Sequence, residues 1–199
     1  MDVGAGDGGY VLYRARTEPT TFAIAIDASP DALTTGAWRA KRARLENAAF
    51  LVEGVERLPL ELADLADEVT IHFPWGSLLR GLIAADPRVL CPVARLLKPD
   101  AELRLLVSAT VRDGHADFSP DWLRKIAPDY AECGLELDAV KPADRFETAA
   151  SRSSWAKRLG AGRPAVFARY SRCSSRRGLM SAGTSPDLQG THSTRNRPS

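Results

Sequence analysis

The segment from Val69 to Gly81 contains a β-branched run that stops abruptly at Pro74, Trp75 and Gly76. Proline lacks the backbone donor that a central strand needs, and glycine tolerates unusual backbone angles. We therefore expect a strand that ends in a sharp, exposed turn carrying Trp75. Because ligands bind at the carboxyl ends of strands in open α/β sheets, this turn predicts a binding site.

A glycine-rich loop opens the chain, from Met1 to Gly9. Gly4 and Gly6 would let the backbone approach a nucleotide-like cofactor closely. The next predicted strand, Thr21 to Ile26, ends at Asp27, where an acid accepts hydrogen bonds from ribose hydroxyls. The loop spacing, D-x-G-x-G-D-G, differs from the G-x-G-x-x-G of dinucleotide enzymes and is similar to the S-adenosylmethionine loop of class I methyltransferases. A glycine-rich turn with a solvated aspartate accounts less well for this spacing.

Short β-branched or apolar runs alternate with amphipathic segments along most of the chain. The predicted strands lie at about residues 21–26, 48–53, 68–73, 102–109, 134–140 and 165–170. The predicted helices lie at about residues 10–16, 29–45, 77–83 and 88–97. A turn at Lys98-Pro99-Asp100 separates the last helix from its strand. The order predicts an α/β protein with a doubly wound parallel sheet and a closing antiparallel hairpin near the C-terminus.

The composition favours one folded domain. The chain has 199 residues, of which 44% are hydrophobic, and this is sufficient for one core. Residues 174–199 contain four arginines, one acid and few large apolar side chains, so burial there cannot offset the entropy of ordering. We therefore predict a domain over residues 1–173 and a disordered basic tail over residues 174–199.

The cysteines and histidines predict neither a metal site nor a disulfide scaffold. Cys91, Cys133 and Cys173 are odd in number and lack metal-ligand spacing, and the three histidines are scattered. This usage fits a reducing cytosol. No run is long and apolar enough to span a membrane, and no signal peptide precedes the glycine loop, so we expect a cytoplasmic protein.

The first strand has little sequence available to it. A strand of this fold should precede the glycine loop, but only Met1 to Val3 remain to form it. We expect either that the true start lies upstream and this chain is a truncated reading, or that the cofactor site is impaired. The coherence of the remaining pattern favours a misassigned start.

A second tryptophan, Trp155, lies in a basic, serine-rich stretch before the last predicted strand. Arginines follow both loop tryptophans, Arg80 after Trp75 and then Arg158 and Arg163 after Trp155. Such an arrangement suits a flipped base held between aromatic faces while cations contact phosphates. The alternative is that either ring simply caps the core.

A basic cluster lies in the second predicted helix beside Trp38. It consists of Arg39, Lys41, Arg42 and Arg44. Phosphate contact is the functional interpretation. A solvated helix face is the alternative, because glutamates follow in the sequence.

Five sequence blocks together resemble one known family. They are D-V-G-A-G-D-G at 2–8, A-I-D-A-S at 25–29, V-E-R-L-P at 55–59, F-P-W-G-S-L-L-R-G at 73–81 and S-S-W-A-K-R-L at 153–159. Over Met1 to about Tyr170 the chain is similar to the aminoglycoside-resistance 16S rRNA methyltransferases of the kanamycin-apramycin type, which modify N1 of adenine 1408. The resemblance implies a Rossmann-like class I methyltransferase fold. Its sheet would be mostly parallel and seven-stranded, with a truncated first strand and helices on both faces.

The resemblance also implies which residues bind the cofactor, S-adenosylmethionine. They are Asp2, Gly4, Gly6, Asp7, Asp27, Ala28, Val55, Glu56 and Ser153. Gly4, Gly6 and Asp7 would shape the methionine end of the pocket. Asp27 would hold the ribose, and Val55 and Glu56 would border the adenine.

On the substrate side, the resemblance implies that Trp75 and Trp155 sandwich the target adenine, with Pro74 in the same catalytic turn. Arg158 and Arg163 would hold the backbone of the flipped nucleotide, and the basic cluster would contact the surrounding RNA. The implied partner is 16S rRNA in the assembled 30S subunit, bound by a monomer without a metal ion or a membrane.

Two other functions remain open. A class I methyltransferase for a small metabolite would share every cofactor residue but would need a closed pocket. An inactive RNA-binding remnant would fit the short first strand. Two exposed tryptophans with flanking arginines favour a large anionic substrate over a metabolite.

Overall fold

The computed structural model describes residues 1–109, 111–115, 117–152 and 164–173, except for the side chain of Arg112. Within these ranges one sheet has seven strands in the order β3-β2-β1-β4-β5-β7-β6. The strands are β1 (Asp2–Val3), β2 (Ala23–Asp27), β3 (Ala48–Val52), β4 (Ala66–His72), β5 (Leu97–Val107), β6 (Leu135–Pro142) and β7 (Val166–Arg172). The helices are α1 (Gly9–Thr17), α2 (Pro30–Arg42), α3 (Gly76–Ile83), α4 (Pro87–Leu96), α5 (Pro120–Glu132) and α6 (Arg145–Ala150). Short 3-10 segments lie at Val55–Arg57, Leu60–Leu62 and Val111–Asp113.

The pairing of the strands confirms the predicted sheet. Strands β1 to β5 pair in parallel, whereas β7 runs antiparallel to both β5 and β6. The β6–β7 pair is the predicted closing hairpin. The strand order reverses between β1 and β4, and such a switch point opens a crevice at the carboxyl ends of the strands.

The first strand is short, as predicted, yet it lies at the centre of the sheet. Asp2 is in register with Ala25 of β2 on one side and with Thr70 of β4 on the other. Towards the amino ends of the strands, β2 and β4 border a groove of about 640 Å³. A β1 strand of two residues thus pairs with both neighbours and places the glycine loop at the carboxyl ends of β2 and β4.

Helices cover both faces of the sheet. Neighbouring side chains of a strand point to opposite faces, and in β2 they enter different core clusters. Ala25 packs with residues of α1 and α2, whereas Ile26 packs with residues of α3, α4 and α5. Both faces are thus buried, which explains the near-continuous apolar runs of the central strands.

One prediction along the chain was wrong, and two helices had been assigned no bounds. Lys98-Pro99-Asp100 is part of β5 rather than a turn, because a register shift against β4 and a positive φ at Asp100 absorb the irregularity within the strand. Helices α5 and α6 lie between predicted strands, where no helix bounds had been assigned. Helix α5 contains Pro128 in its second half, which obscures its helical signal, yet the helix continues to Glu132.

The expectation of a reducing cytosol rather than a disulfide scaffold did not anticipate the disulfide that the structure contains. Cys91 in α4 and Cys133 at the end of α5 form a disulfide with their Cα atoms 4.9 Å apart. Cys173 lies outside this bond. An odd count and irregular spacing carry no information about which helices pack together, so the sequence could not reveal the pair.

Three other predictions concern membrane-spanning helices, metal sites and the C-terminal tail. In the described ranges, no helix combines the length and apolarity needed to cross a bilayer. The same ranges assemble no group of three or more side chains able to hold a metal ion. The predicted tail at residues 174–199 lies outside the described residues, so its disorder stays a prediction.

Candidate active site

The loop after β1 turns through glycines in the left-handed region. Gly4, Gly6 and Gly8 have φ values of 72°, 56° and 67°, which other residues rarely adopt. The Gly4 amide donates to the carbonyl of Ile26 at 2.8 Å, and this bond holds the loop against β2. A Cβ atom at Gly6 would meet nothing within 4 Å beyond its neighbours in the chain, so a ligand can approach the backbone there.

Asp27 joins the glycine loop to the start of α2. One carboxylate oxygen accepts the Gly6 amide at 2.8 Å, and the other accepts the Ser29 amide at 2.8 Å. Each carboxylate oxygen can accept two hydrogen bonds, so both retain a lone pair for a ligand hydroxyl. Asp27, which we predicted to bind the ribose, is therefore fixed in position and can still accept hydrogen bonds from ribose hydroxyls.

Two glutamates follow β3 at the same edge. Glu53 accepts the Gly54 amide at 2.8 Å and the Nε of Arg57 at 2.9 Å. The Gly54 amide, followed by the Arg57 guanidinium, lowers the pKa of the Glu53 carboxyl, which favours its ionised form. Val55 is buried, and Glu56 follows it. Glu53 was not among the predicted site residues, although an acid at the end of a predicted strand was a signal for it.

These loops enclose two adjoining cavities at the carboxyl ends of β1 to β4. The larger has a volume of about 180 Å³, and the smaller about 30 Å³. Gly4 and Trp75 line both. All eight predicted cofactor residues that the structure describes line one cavity or the other: Asp2, Gly4, Gly6, Asp7, Asp27, Ala28, Val55 and Glu56.

Asp2 lines the smaller cavity although its side chain is almost fully buried. The Thr70 hydroxyl donates to an Asp2 carboxylate oxygen at 2.7 Å, and the Nδ1 of His72 lies 3.4 Å from the same oxygen. The ring of Tyr10 packs edge-on against His72 with 4.5 Å between centroids. Burial is the main cause that raises the pKa of the Tyr10 phenol. These contacts fix the carboxylate beside the glycine loop.

The turn after β4 presents Trp75 at the junction of the cavities. Phe73 and Gly76 adopt φ values of 50° and 61°, and helix α3 begins at Gly76. Trp75 is 66% exposed, as predicted. Pro74 is buried, so the prediction of a wholly exposed turn was wrong for this residue, because its apolar ring forms part of the cavity wall.

Helix α2 packs directly on the glycine loop. The Arg39 guanidinium donates to the Asp7 carboxylate at 2.9 Å. Gly36 approaches so closely that a Cβ atom there would lie 2.5 Å from the Asp7 carbonyl oxygen. Gly36 was not among the predicted site residues, and Arg39, predicted to bind RNA with the basic cluster, pairs instead with Asp7 of the loop. The other three members, Lys41, Arg42 and Arg44, are exposed.

Comparisons with known proteins identify the family of this chain. The family model NpmA, 16S rRNA (adenine(1408)-N(1))-methyltransferase, matches residues 1–173. The chain belongs to this family. A 16S rRNA (adenine(1408)-N(1))-methyltransferase from Escherichia coli is 30% identical over 185 residues, which cover 86% of this chain and 84% of the relative.

Solved structures of similar proteins share the fold of this family member. A variant of the 16S rRNA (adenine(1408)-N(1))-methyltransferase from Catenulisporales acidiphilia, crystallised with cosubstrate SAM, superimposes with a TM-score of 0.77 at 25% identity. That match covers 88% of this chain and 85% of the other. The antibiotic-resistance methyltransferase Kmr gives a TM-score of 0.70 at 33% identity, covering 86% of this chain and 85% of the other.

Four predicted site residues of this family member lie outside the described residues. They are Ser153, Trp155, Arg158 and Arg163. Their roles in binding the cofactor, stacking the base and holding the flipped nucleotide stay predictions.

Proposed function

We propose that this chain transfers the methyl group of S-adenosylmethionine to N1 of adenine 1408 in the 16S rRNA of the assembled 30S subunit. The match of the family model to residues 1–173 carries the proposal. An exposed tryptophan beside two adjoining cavities supports a large, flat substrate over a small metabolite enclosed in a pocket.

The residues around the cavities fit the cofactor. The free lone pairs of Asp27 suit a ribose diol, and the buried Val55 offers an apolar surface to an adenine ring. In the smaller cavity, Asp2 and Asp7 offer carboxylates to the α-ammonium group of a methionine moiety. When bound, the cofactor supplies an electrophilic sulfonium methyl group.

Trp75 supplies a stacking face for the target base. Adenine N1 carries an in-plane lone pair that is already nucleophilic, so no general base is required. Flipping the base costs a few kcal/mol, and holding N1 in line with the methyl donor recovers more than this through orientation. Methylation leaves a cationic adenine, which the π-face of Trp75 stabilises. Trp155 is the proposed second face.

We also propose the oligomeric state of the enzyme, its cellular location and the effect of the methylation. The enzyme acts as a monomer on the assembled subunit, and therefore in the cytoplasm. Methylation at N1 protects the decoding site from aminoglycosides. The description of Kmr as an antibiotic-resistance methyltransferase supports this role.

The test is primer extension on 16S rRNA after 30S subunits are incubated with the protein and S-adenosylmethionine. An N1-methyl group blocks base pairing, so a reverse-transcriptase stop at adenine 1408 is expected. Trp75→Ala should lower the rate by about fivefold to 150-fold, because base stacking on an aromatic ring contributes about 1–3 kcal/mol. S-adenosylhomocysteine, measured by calorimetry, should still bind to this variant.

Phe22→Ala is a matched control, since Phe22 is 62% exposed and precedes β2 at the opposite edge of the sheet. It should methylate at the parental rate. No stop with the parental protein would reject the proposed substrate, and methylation of a small molecule instead would establish the metabolite enzyme. A parental rate for Trp75→Ala would reject the stacking role alone.

A further inference from the structure

Helix α2 carries a second exposed tryptophan, remote in sequence from the catalytic turn. Trp38 is 59% exposed. The guanidinium of Arg42, one helical turn further on, lies 5.3 Å from the centroid of its ring. Because 59% of Trp38 is exposed with Arg42 in contact, much of the indole is accessible to a partner.

The charges around Trp38 are not neutralised. Lys41, Arg42 and Arg44 are all exposed, and within the described ranges none of them forms an ion pair. Arg39 differs from them, because its guanidinium is committed to Asp7 of the glycine loop. The surface therefore presents three unpaired cations beside one aromatic ring, which is a composition that attracts a polyanion.

The apolar neighbours that a protein partner would need are missing from this helix. Among the large apolar side chains exposed in the described part of the chain, Trp38 is the one that α2 contributes. Protein interfaces usually centre on a contiguous apolar patch, whereas single-stranded nucleic acid is bound by isolated aromatic rings among cations. The surface thus matches RNA better than a protein.

The position of α2 relates this surface to the reaction. Gly36 and Arg39 bind the helix tightly to Asp7 of the loop that lines the cofactor cavities. A nucleotide held by Trp38 is therefore held in a fixed relation to the methyl donor. A base stacked on a ring of this helix would therefore add a positional restraint to the electrostatic attraction of the RNA.

We propose that Trp38 and Arg42 form a stacking site for an unpaired nucleotide of the RNA substrate, separate from the site at Trp75 that takes the target adenine. The inference rests on the proposed function, since it presumes an RNA substrate. It assigns Trp38 a stacking role and gives Arg42 a second role beside phosphate contact, as the cation that holds the ring.

The test measures the affinity of the full chain for 30S subunits across a series of salt concentrations, with S-adenosylhomocysteine present. Trp38→Ala should weaken binding roughly tenfold. It should leave the slope of log affinity against log salt concentration unchanged, because stacking releases no counterions. Trp38→Phe should recover most of the affinity. Arg42→Gln should reduce the slope of log affinity against log salt by about 0.7–0.9, as expected for one lost phosphate contact.

Phe22→Ala serves again as the exposed aromatic control and should bind 30S subunits like the parent. Affinity for S-adenosylhomocysteine should be the same in all these variants. If Trp38→Ala binds 30S subunits like the parent while Arg42→Gln binds more weakly, the surface is electrostatic only and the stacking site is rejected, with the proposed function intact. If the parent itself neither binds nor methylates 30S subunits, both proposals fail.

Discussion

Replacing Gly36 by alanine should separate helix α2 from the glycine loop. A Cβ atom at position 36 would lie 2.5 Å from the Asp7 carbonyl oxygen and 2.7 Å from Cε1 of Phe50. The Phe50 ring can rotate away, but a backbone oxygen cannot. Either the helix or the loop must therefore move, and the loop carries Gly4 and Gly6 of the cofactor cavities.

Two opposing effects set the size of the change. Alanine in a helix interior is more favourable than glycine by about 0.5–1 kcal/mol. Overpacking typically costs about 1–3 kcal/mol, and a clash with rigid backbone belongs in the upper half of that range. We expect Gly36→Ala to lower the free energy of unfolding by about 1–2.5 kcal/mol. Affinity for S-adenosylhomocysteine should fall about tenfold because the loop is displaced. This corresponds to a loss of about 1.4 kcal/mol in binding free energy.

Urea unfolding followed by circular dichroism measures the stability, and calorimetry measures the affinity. Thr34→Ala, exposed on the same helix, isolates the effect of helix propensity and should not weaken ligand binding. Gly81→Ala in α3 would place a Cβ atom 2.4 Å from Cγ2 of Val89, so it should destabilise the fold without displacing the loop. If Gly36→Ala is as stable as the parent and binds the ligand equally well, the close contact between α2 and the glycine loop does not hold the cofactor site.

Three further predictions concern other contacts. Asp27→Asn should weaken S-adenosylhomocysteine binding at least tenfold by calorimetry, because bonds to a charged group contribute about 1.5–3 kcal/mol; parental affinity would contradict this. Reduction of the Cys91–Cys133 disulfide, whose sequence separation is 42 residues, should lower the free energy of unfolding in urea by up to about 4 kcal/mol, and Cys91→Ser should remove the response to reductant. Tyr130→Phe deletes a buried hydroxyl that donates to the Leu82 carbonyl at 2.9 Å, and should cost about 1–2 kcal/mol. Burial raises the pKa of Tyr130 above its usual value of 10.0, so its contribution to stability is complete below that pH and is lost as pH rises beyond it. Above pH 10, the free energy of unfolding should therefore decrease less steeply with pH for Tyr130→Phe than for the parent. Identical slopes would contradict the raised pKa of Tyr130.

Local patterns predicted most of the sheet. The strand before Asp27 and the strand before Trp75 end within a residue or two of their predicted limits, because β-branched runs and breaking residues act over a few neighbours. The same signals failed at residues 98–100, where pairing with β4 keeps an irregular segment in the strand. They also failed for α5, which continues through a proline because its apolar face packs against the sheet.

Residue type and short-range order were enough to predict the fold class, the glycine loop, the acid after β2 and the tryptophan after β4. The pairing of Arg39 with Asp7, the packing of Gly36 on the loop and the Cys91–Cys133 bond became visible only in the folded chain. These contacts join residues about 30 or more positions apart, and no local periodicity specifies which distant surfaces meet when the helices pack on the sheet.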